Sequence, residues 1–101
     1  MPAQPDDNSL PLSETSGPRV PTFACLVYLS QDQSGAWVAR VANLDGLQVT
    51  AATPRDAMAR VCRQFKERVR TAYAAGETID WIEPPEDPLA GELVRSIPVH
   101  L

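Results

Sequence analysis

A single amphipathic helix with a capping signal at each end is the feature that most constrains how this chain can fold. Thr53-Pro54-Arg55-Asp56 supplies an N-cap threonine, a proline at the first helical position and an acid at the third. Apolar residues then recur at steps of three and four, and Gly76 follows as a C-cap. The apolar stripe consists of Met58, Val61, Cys62, Phe65, Val69, Ala72 and Tyr73. The pattern predicts one helix of about 22 residues.

Three short segments before this helix have the composition and alternation of strands. The first is FACLVYLS, which begins at Phe23 and is apolar on both of its alternating faces. AWVARVANL and LQVTAA follow, after turn signals at Ser34-Gly35 and at residues 43–46. These segments predict a three-stranded antiparallel meander. One helix covers one face of such a sheet, so the second apolar face of the first strand favours contact with another protein surface.

The chain closes with LVRSIPVHL, which alternates as a fourth strand. Pro98 has no N–H to donate, so we expect a short strand at the edge of the sheet, with Pro98 on its unpaired side. The predicted fold class is therefore α+β: a three-stranded antiparallel meander, one long helix across one face and a short closing edge strand.

Proline positions divide the chain into a tail and a domain. Five of the ten prolines lie in residues 1–21, which hold few large aliphatic residues, and we expect this stretch to be a disordered tail. The domain is then 22–101. A domain of roughly 80 residues is marginally stable alone, which favours a homo-oligomer. No signal peptide is recognisable, and the longest apolar run is far shorter than the ~20 residues of a membrane span, so the expected location is cytoplasmic.

The charged residues separate into two blocks. The net charge of −4 argues against a dedicated nucleic-acid module. Residues 55–70 are nevertheless basic, and residues 77–92 hold six acids without a basic residue. An RNA-binding helix face remains the alternative to a solvated surface, and it would comprise Arg60, Arg63, Lys66 and Arg70.

No catalytic, metal-binding or cofactor-binding set is evident in the sequence. Cys25 and Cys62 lie in apolar segments without metal spacing, which is typical of buried thiols in a reducing compartment. His100 is the sole histidine and has no second ligand at metal spacing. Asp32, Asp45 and Asp80 are the acids that a carboxylate cluster would need, but all three lie in predicted turns or loops, which favours turn-forming roles. We therefore expect a protein that is not an enzyme.

The meander, the threonine-capped helix and the closing strand together resemble the HicB-like antitoxin domain over roughly Phe23 to Leu101. Four residues match the turn and helix start of that family, and 97–99 is similar to its last strand. The matching residues are Leu44, Gly46, Thr53 and Ala57. The departures are Ala42, Asp45 and Leu47 in the turn, and Ala52, where glycine is usual.

The resemblance implies a partial ribonuclease H fold without a catalytic set, and an antitoxin that masks a small basic ribonuclease toxin. Many relatives also carry a C-terminal DNA-binding module, which we do not expect here because the chain ends after the last strand. An oligomeric, non-enzymatic interaction module is the resulting functional hypothesis. The residues expected to contact a partner are Leu26, Tyr28, Trp81, Glu83, Glu86 and Asp87.

Overall fold

Four antiparallel strands and one helix make up residues 21–101, the part of the chain that the computed structural model describes. The strands are β1 (Thr22–Gln31), β2 (Trp37–Val41), β3 (Gln48–Ala51) and β4 (Leu93–His100), and the helix α1 (Pro54–Ala75) lies between β3 and β4 in the chain. The sheet order is β3-β2-β1-β4. The α+β class is as predicted. The closing strand, expected to be short, has eight residues and is longer than β2 and β3.

The two faces of the sheet follow from the alternation of the strands. We call the face that packs against α1 the inner face; its buried residues are Cys25, Val27, Leu29, Ala39, Val41, Val49, Ala51 and Val99. The helix contributes Ala57, Val61, Phe65 and Val69 to the same core. The opposite, outer face carries the intervening residues, among them Leu26, Tyr28, Arg40 and Val94. The predicted alternation of β1 and β2 is confirmed by this register.

The helix begins and ends at the residues that its sequence signals indicate. The Thr53 hydroxyl accepts a hydrogen bond from the Asp56 N–H at 3.1 Å. Gly76 has a φ of 69°, a left-handed conformation that glycine adopts without strain, and its N–H bonds to the last turn. Tyr73 departs from the predicted stripe because it is largely exposed, although its ring meets Phe23 edge-on.

Strand β4 forms one edge of the sheet, as predicted. It pairs with β1 alone, with Ala24 opposite Pro98. Beyond the strand, Leu101 N–H donates to the Pro21 carbonyl at 3.0 Å. Because backbone groups alternate in direction along a strand, odd-numbered N–H groups of β4 point toward β1 and even-numbered positions, including Pro98, point outward. Apart from Pro21, the expected disordered tail lies outside the described residues.

Residues 77–92, which we call the acidic segment, run from the end of α1 to the start of β4. Trp81 forms an isolated bridge with Leu44 and stacks on Phe23, with ring centroids 5.7 Å apart. Its indole also lies 5.9 Å from Phe65. Ile82 N–H then donates to the Asn43 carbonyl, after which the segment passes to the outer face. The acidic segment therefore contacts both sides of the sheet.

Candidate functional site

Arg40 ties the acidic segment to the outer face of the sheet. Its guanidinium forms a two-bond contact with the Glu92 carboxylate, at 2.8 and 2.9 Å, and a third bond at 2.7 Å to Glu86. The same group lies 5.0 Å from the centre of the Tyr28 ring, within cation–π range. The Tyr28 hydroxyl donates to the Glu86 carbonyl. One arginine thus holds two points of a loop that lies about fifty positions further along the chain.

The Arg40 and Glu92 charges are partly removed from water, which strengthens their interaction. Only 7% of the Glu92 side chain is exposed. The hydrogen bond from Arg40 lowers the pKa of the Glu92 carboxyl, assisted by the Leu89 N–H and opposed by burial. The pKa of Arg40 is raised, first by its bond to Glu92. Both groups stay charged at neutral pH.

A second polar contact closes the corner of the sheet beyond the end of β2. The Asn43 side chain accepts from the Leu26 N–H at 3.2 Å and donates to the Ala24 carbonyl at 2.9 Å. It therefore takes the place of a strand residue beside β1. Glu86 N–H donates to the Ala42 carbonyl, which attaches the acidic segment to the same corner.

The structure places the three apolar residues expected to contact a partner in contact with the chain itself. Tyr28 is only 5% exposed beneath the acidic segment. Leu26 is half-buried beside Asn43, and Trp81 is half-buried in the aromatic group with Phe23. The partner surface expected around Tyr28 is therefore occupied by residues 82–92. The reason is that a second apolar face can be covered by a loop of the same chain.

The acidic residues of the segment fall into two groups. Glu86 and Glu92 both form salt bridges with Arg40. The remaining four are exposed and make no salt bridge with any residue between 21 and 101; they are Glu77, Asp80, Glu83 and Asp87. Of the three acids predicted for partner binding, Glu83 and Asp87 keep a free carboxylate. Glu86 is engaged within the chain.

The outward edge of β4 carries two of the exposed large apolar residues of the described part of the chain. Leu93 is 45% exposed and Val94 is 47% exposed, and the two point to opposite faces of the sheet. Leu89 is exposed nearby, in a turn closed by the Glu92 N–H bond to its carbonyl. The outward N–H groups of Val94, Ser96 and His100 have no partner strand within residues 21–101. This edge is an available pairing site.

The basic residues proposed as an RNA-binding face lie on the flank of α1 that leads toward β4. Arg60 and Arg63 are exposed, and Lys66 is half-buried beside residues 97–100. Arg70 is paired with Glu67 at 2.7 Å, an exposed contact one helical turn away. The structure thus keeps three of the four cations available, and the local charge is smaller than the sequence suggests.

The candidate carboxylate cluster does not assemble. Asp32 lies in the turn before β2 and Asp45 in the turn after it, so the strand separates them by about 17 Å. The Asp32 carboxylate accepts hydrogen bonds from the Ser34 hydroxyl and the Ala36 N–H, which lower its pKa. His100 meets the Thr22 hydroxyl at 2.9 Å. Residues 21–101 contain no group of three His, Cys, Asp or Glu side chains arranged to hold a metal ion.

The two cysteines lie together between the sheet and the helix. Cys25 is fully buried at the inner face of β1, and Cys62 of α1 packs against the same core while remaining half-buried. A thiol–thiol hydrogen bond lowers the pKa of Cys62 to about 7 and, together with burial, raises that of Cys25. The expectation of buried cysteines describes Cys25 well. Cys62 has additional access to solvent through a hollow at the end of β4.

Comparison with known proteins does not assign the chain to a family. No family model, curated protein or solved structure matched it. Within residues 21–101, no helix has both the length and the apolar character needed to cross a membrane.

Sequence reasoning missed Arg40 and Asn43, which organise the outer face. A signal for Arg40 was present, because it is the charged residue of an otherwise apolar strand, WVARV. Arginine is almost never fully buried unless its charge is paired. That requirement indicates a partner in the acidic segment without identifying Glu92. Asn43 carried no comparable signal, because asparagine is ordinary in a turn.

Proposed function

We propose that this protein is a non-enzymatic interaction module that self-associates through the β4 edge and presents its acidic segment to a basic partner protein. The observation that carries the proposal is the open edge of β4, where exposed Leu93 and Val94 flank outward backbone groups. Unpaired strand edges favour pairing with another chain. The small size of the domain is a further reason to expect association.

A second copy of the chain is a suitable occupant of this edge. If two β4 strands pair antiparallel about Ser96, Val94 lies opposite the copy's Pro98 and Leu93 lies opposite its Val99. Arg95 lies opposite Ile97 in this register, so no like charges face each other. Pro98 lacks an N–H, but its outward carbonyl remains free to accept a bond from the Val94 N–H. The side-chain pattern of the strand is therefore compatible with self-pairing.

The partner proposed for the acidic segment is a small basic protein. Glu77, Asp80, Glu83 and Asp87 are exposed and unpaired among the described residues, while Glu86 and Glu92 are committed to Arg40. Fixing the segment to the sheet reduces the entropy that its four free carboxylates lose on binding. Charges of one sign also steer an oppositely charged partner toward them.

The resemblance to the HicB-like antitoxin domain gives this partner a chemical class. The resembling residues are structural: Leu44 is buried, and Gly46 has a φ of 84°, as a tight turn requires. Antitoxins of that family mask a small basic ribonuclease toxin. We propose that the acidic segment of this protein binds such a toxin in a cytoplasmic complex.

Self-association is tested by sedimentation of the full chain and of two lysine variants. Val94→Lys places a charge on the β4 edge, and Thr50→Lys places the same charge on the opposite edge strand β3, where Thr50 is also exposed. We expect wild type and Thr50→Lys to form a dimer that Val94→Lys does not form. A monomeric wild type at high protein concentration would reject self-pairing.

The basic partner is tested by affinity purification from the native host, with the full chain as bait. Glu83→Gln/Asp87→Gln removes two free carboxylates, and Glu67→Gln removes an acid of the exposed α1 surface as a matched control. A small basic protein should co-purify with wild type and with Glu67→Gln, at several-fold lower yield with the double variant. Equal yield from the double variant would reject the acidic segment as the binding surface. Recovery of no basic protein would reject the partner class.

An RNA-binding function is the second candidate, favoured by the exposed and unpaired Arg60 and Arg63 on the described part of α1. It predicts that a structured RNA hairpin binds at low salt and dissociates as salt rises. Arg63→Ala/Lys66→Ala should then weaken binding, whereas Arg95→Ala, on the strand, should not. Absence of binding at low salt would eliminate this candidate.

A further inference from the structure

The two cysteines of the chain are placed for chemistry that the interaction function does not use. Cys25 pairs with Ile97 in the register of β1 and β4. Ile97 also lines the hollow beside Cys62, so both cysteines adjoin the same residue from opposite layers. Cys62 packs against the core cluster that contains Cys25, and neither cysteine forms a disulfide.

Only one of these thiols has a route to solvent. Cys25 is fully buried, whereas Cys62 opens into a hollow of about 350 Å³ between α1 and the end of β4. Arg63 and Lys66 of the helix and residues 97–100 of the strand form the rest of its lining. The hollow is large enough to admit a small oxidant.

Two basic helix residues and His100 lie around Cys62. Arg63 and Lys66 contribute positive charge from α1, His100 faces the hollow from β4, and Cys25 donates a hydrogen bond from β1. The last of these lowers the pKa of the Cys62 thiol. A thiolate is the nucleophilic form of cysteine, so Cys62 is the more reactive of the pair.

We propose that Cys25 and Cys62 are a redox modification site, at which a hydroperoxide converts the two thiols into a reversible intramolecular disulfide. The Cys62 thiolate attacks the peroxide, the O–O bond breaks, and Cys62 becomes a sulfenic acid as hydroxide or alkoxide leaves. The Cys25 sulfur then attacks the Cys62 sulfur, an S–S bond forms and water leaves. With hydrogen peroxide, two thiols and one peroxide give one disulfide and two waters. This inference is independent of the proposed interaction function.

Peptide mapping of the peroxide-treated full chain tests the proposal. Trypsin places Cys25 in a peptide of residues 20–40 and Cys62 in a peptide of residues 61–63. We expect treatment with equimolar hydrogen peroxide to join these two peptides in one chain, to reduce the titratable thiols from two to none, and to be reversed by dithiothreitol. The joined peptides should come from one chain at every protein concentration, because the bond forms within one molecule.

Two single-cysteine variants distinguish the oxidation of Cys62 from the formation of the disulfide. In Cys25→Ala, Cys62 should still react and accumulate as a sulfenic acid that dimedone captures. In Cys62→Ala, the buried Cys25 should stay reduced under the same treatment. The wild-type result does not depend on the folding of either variant. Joining of peptides between chains, irreversible oxidation of Cys62 with Cys25 still reduced, or two intact thiols after treatment would each overturn the proposal.

Discussion

The two faces of the sheet are closed by different means. The inner face is covered by α1, and its contacts are apolar, with Phe65 fully buried against the strands and Trp81. The outer face is covered over Tyr28 by the acidic segment, which is held by charged hydrogen bonds from Arg40. Each face contains buried apolar surface, but only the second depends on an ion pair.

This difference indicates which part of the fold loses stability in acid and which surfaces are available to a partner. Hydrophobic packing is insensitive to pH, whereas a carboxylate with a lowered pKa loses its contribution in acid. The acidic segment is therefore the conditional part of the fold. Because it already covers the outer face over Tyr28, the surfaces that we propose for partners are the β4 edge and the free carboxylates.

Removing the Phe65 ring, which packs against the inner face, should reduce the stability of the fold most. Phe65→Ala deletes a fully buried ring, and we expect the free energy of unfolding to fall by about 3–5 kcal/mol. A small domain has little stability beyond this, so the variant should be largely unfolded at moderate temperature. Urea denaturation followed by circular dichroism measures the change. A loss below about 1 kcal/mol would contradict the central place of Phe65 in the core.

Breaking the Arg40–Glu92 ion pair of the outer face should cause the next largest loss of stability. Arg40→Met keeps the side-chain stem over Tyr28 but leaves the largely buried Glu92 carboxylate without its cation. We expect a loss of about 2 kcal/mol in the same denaturation experiment. Arg70→Met breaks the exposed pair with Glu67 and should cost about 0.5 kcal/mol or less. Equal losses in the two variants would contradict the role given to Arg40.

Lowering the pH should reduce the difference in free energy of unfolding between wild type and Arg40→Met. The folded-state pKa of Glu92 lies below its ordinary value of 4.5, so ionised Glu92 stabilises the fold above that pH and loses its effect as the pH falls through the folded-state pKa. Denaturation curves between about pH 6 and about pH 3 should therefore converge. A difference that stays constant or grows in acid would show that the Arg40–Glu92 pair is not the stabilising contact.

The smallest effect is expected from the single hydroxyl under the acidic segment. Tyr28→Phe removes the hydrogen bond to the Glu86 carbonyl but leaves the ring beneath Arg40. We expect a loss of about 1 kcal/mol. Tyr73→Phe is the matched control, because the Tyr73 side chain is mostly exposed and its change should be near zero. A larger loss of stability in Tyr73→Phe than in Tyr28→Phe would contradict a stabilising role for the Tyr28 hydroxyl.

The sequence predicted those parts of the fold that local rules control. The helix was predictable because Thr53, Pro54 and Gly76 mark its ends and apolar residues repeat at the helical period. The edge position of β4 was predictable from Pro98 alone. The path of the acidic segment was not, because the Arg40–Glu92 contact joins residues 52 positions apart and no periodic pattern encodes such a pair. For the same reason, the sequence did not predict that the acidic segment covers Tyr28.

Residue-resolved amide hydrogen exchange in β4, at low and high protein concentration, tests the central claim most directly. The odd-numbered amides Arg95, Ile97 and Val99 point toward β1 and should be protected at both concentrations. The outward amides of Val94 and Ser96 should exchange rapidly when dilute and become protected when concentrated, as the edges of two copies pair. Rapid exchange of the outward amides at every concentration would contradict self-association through β4.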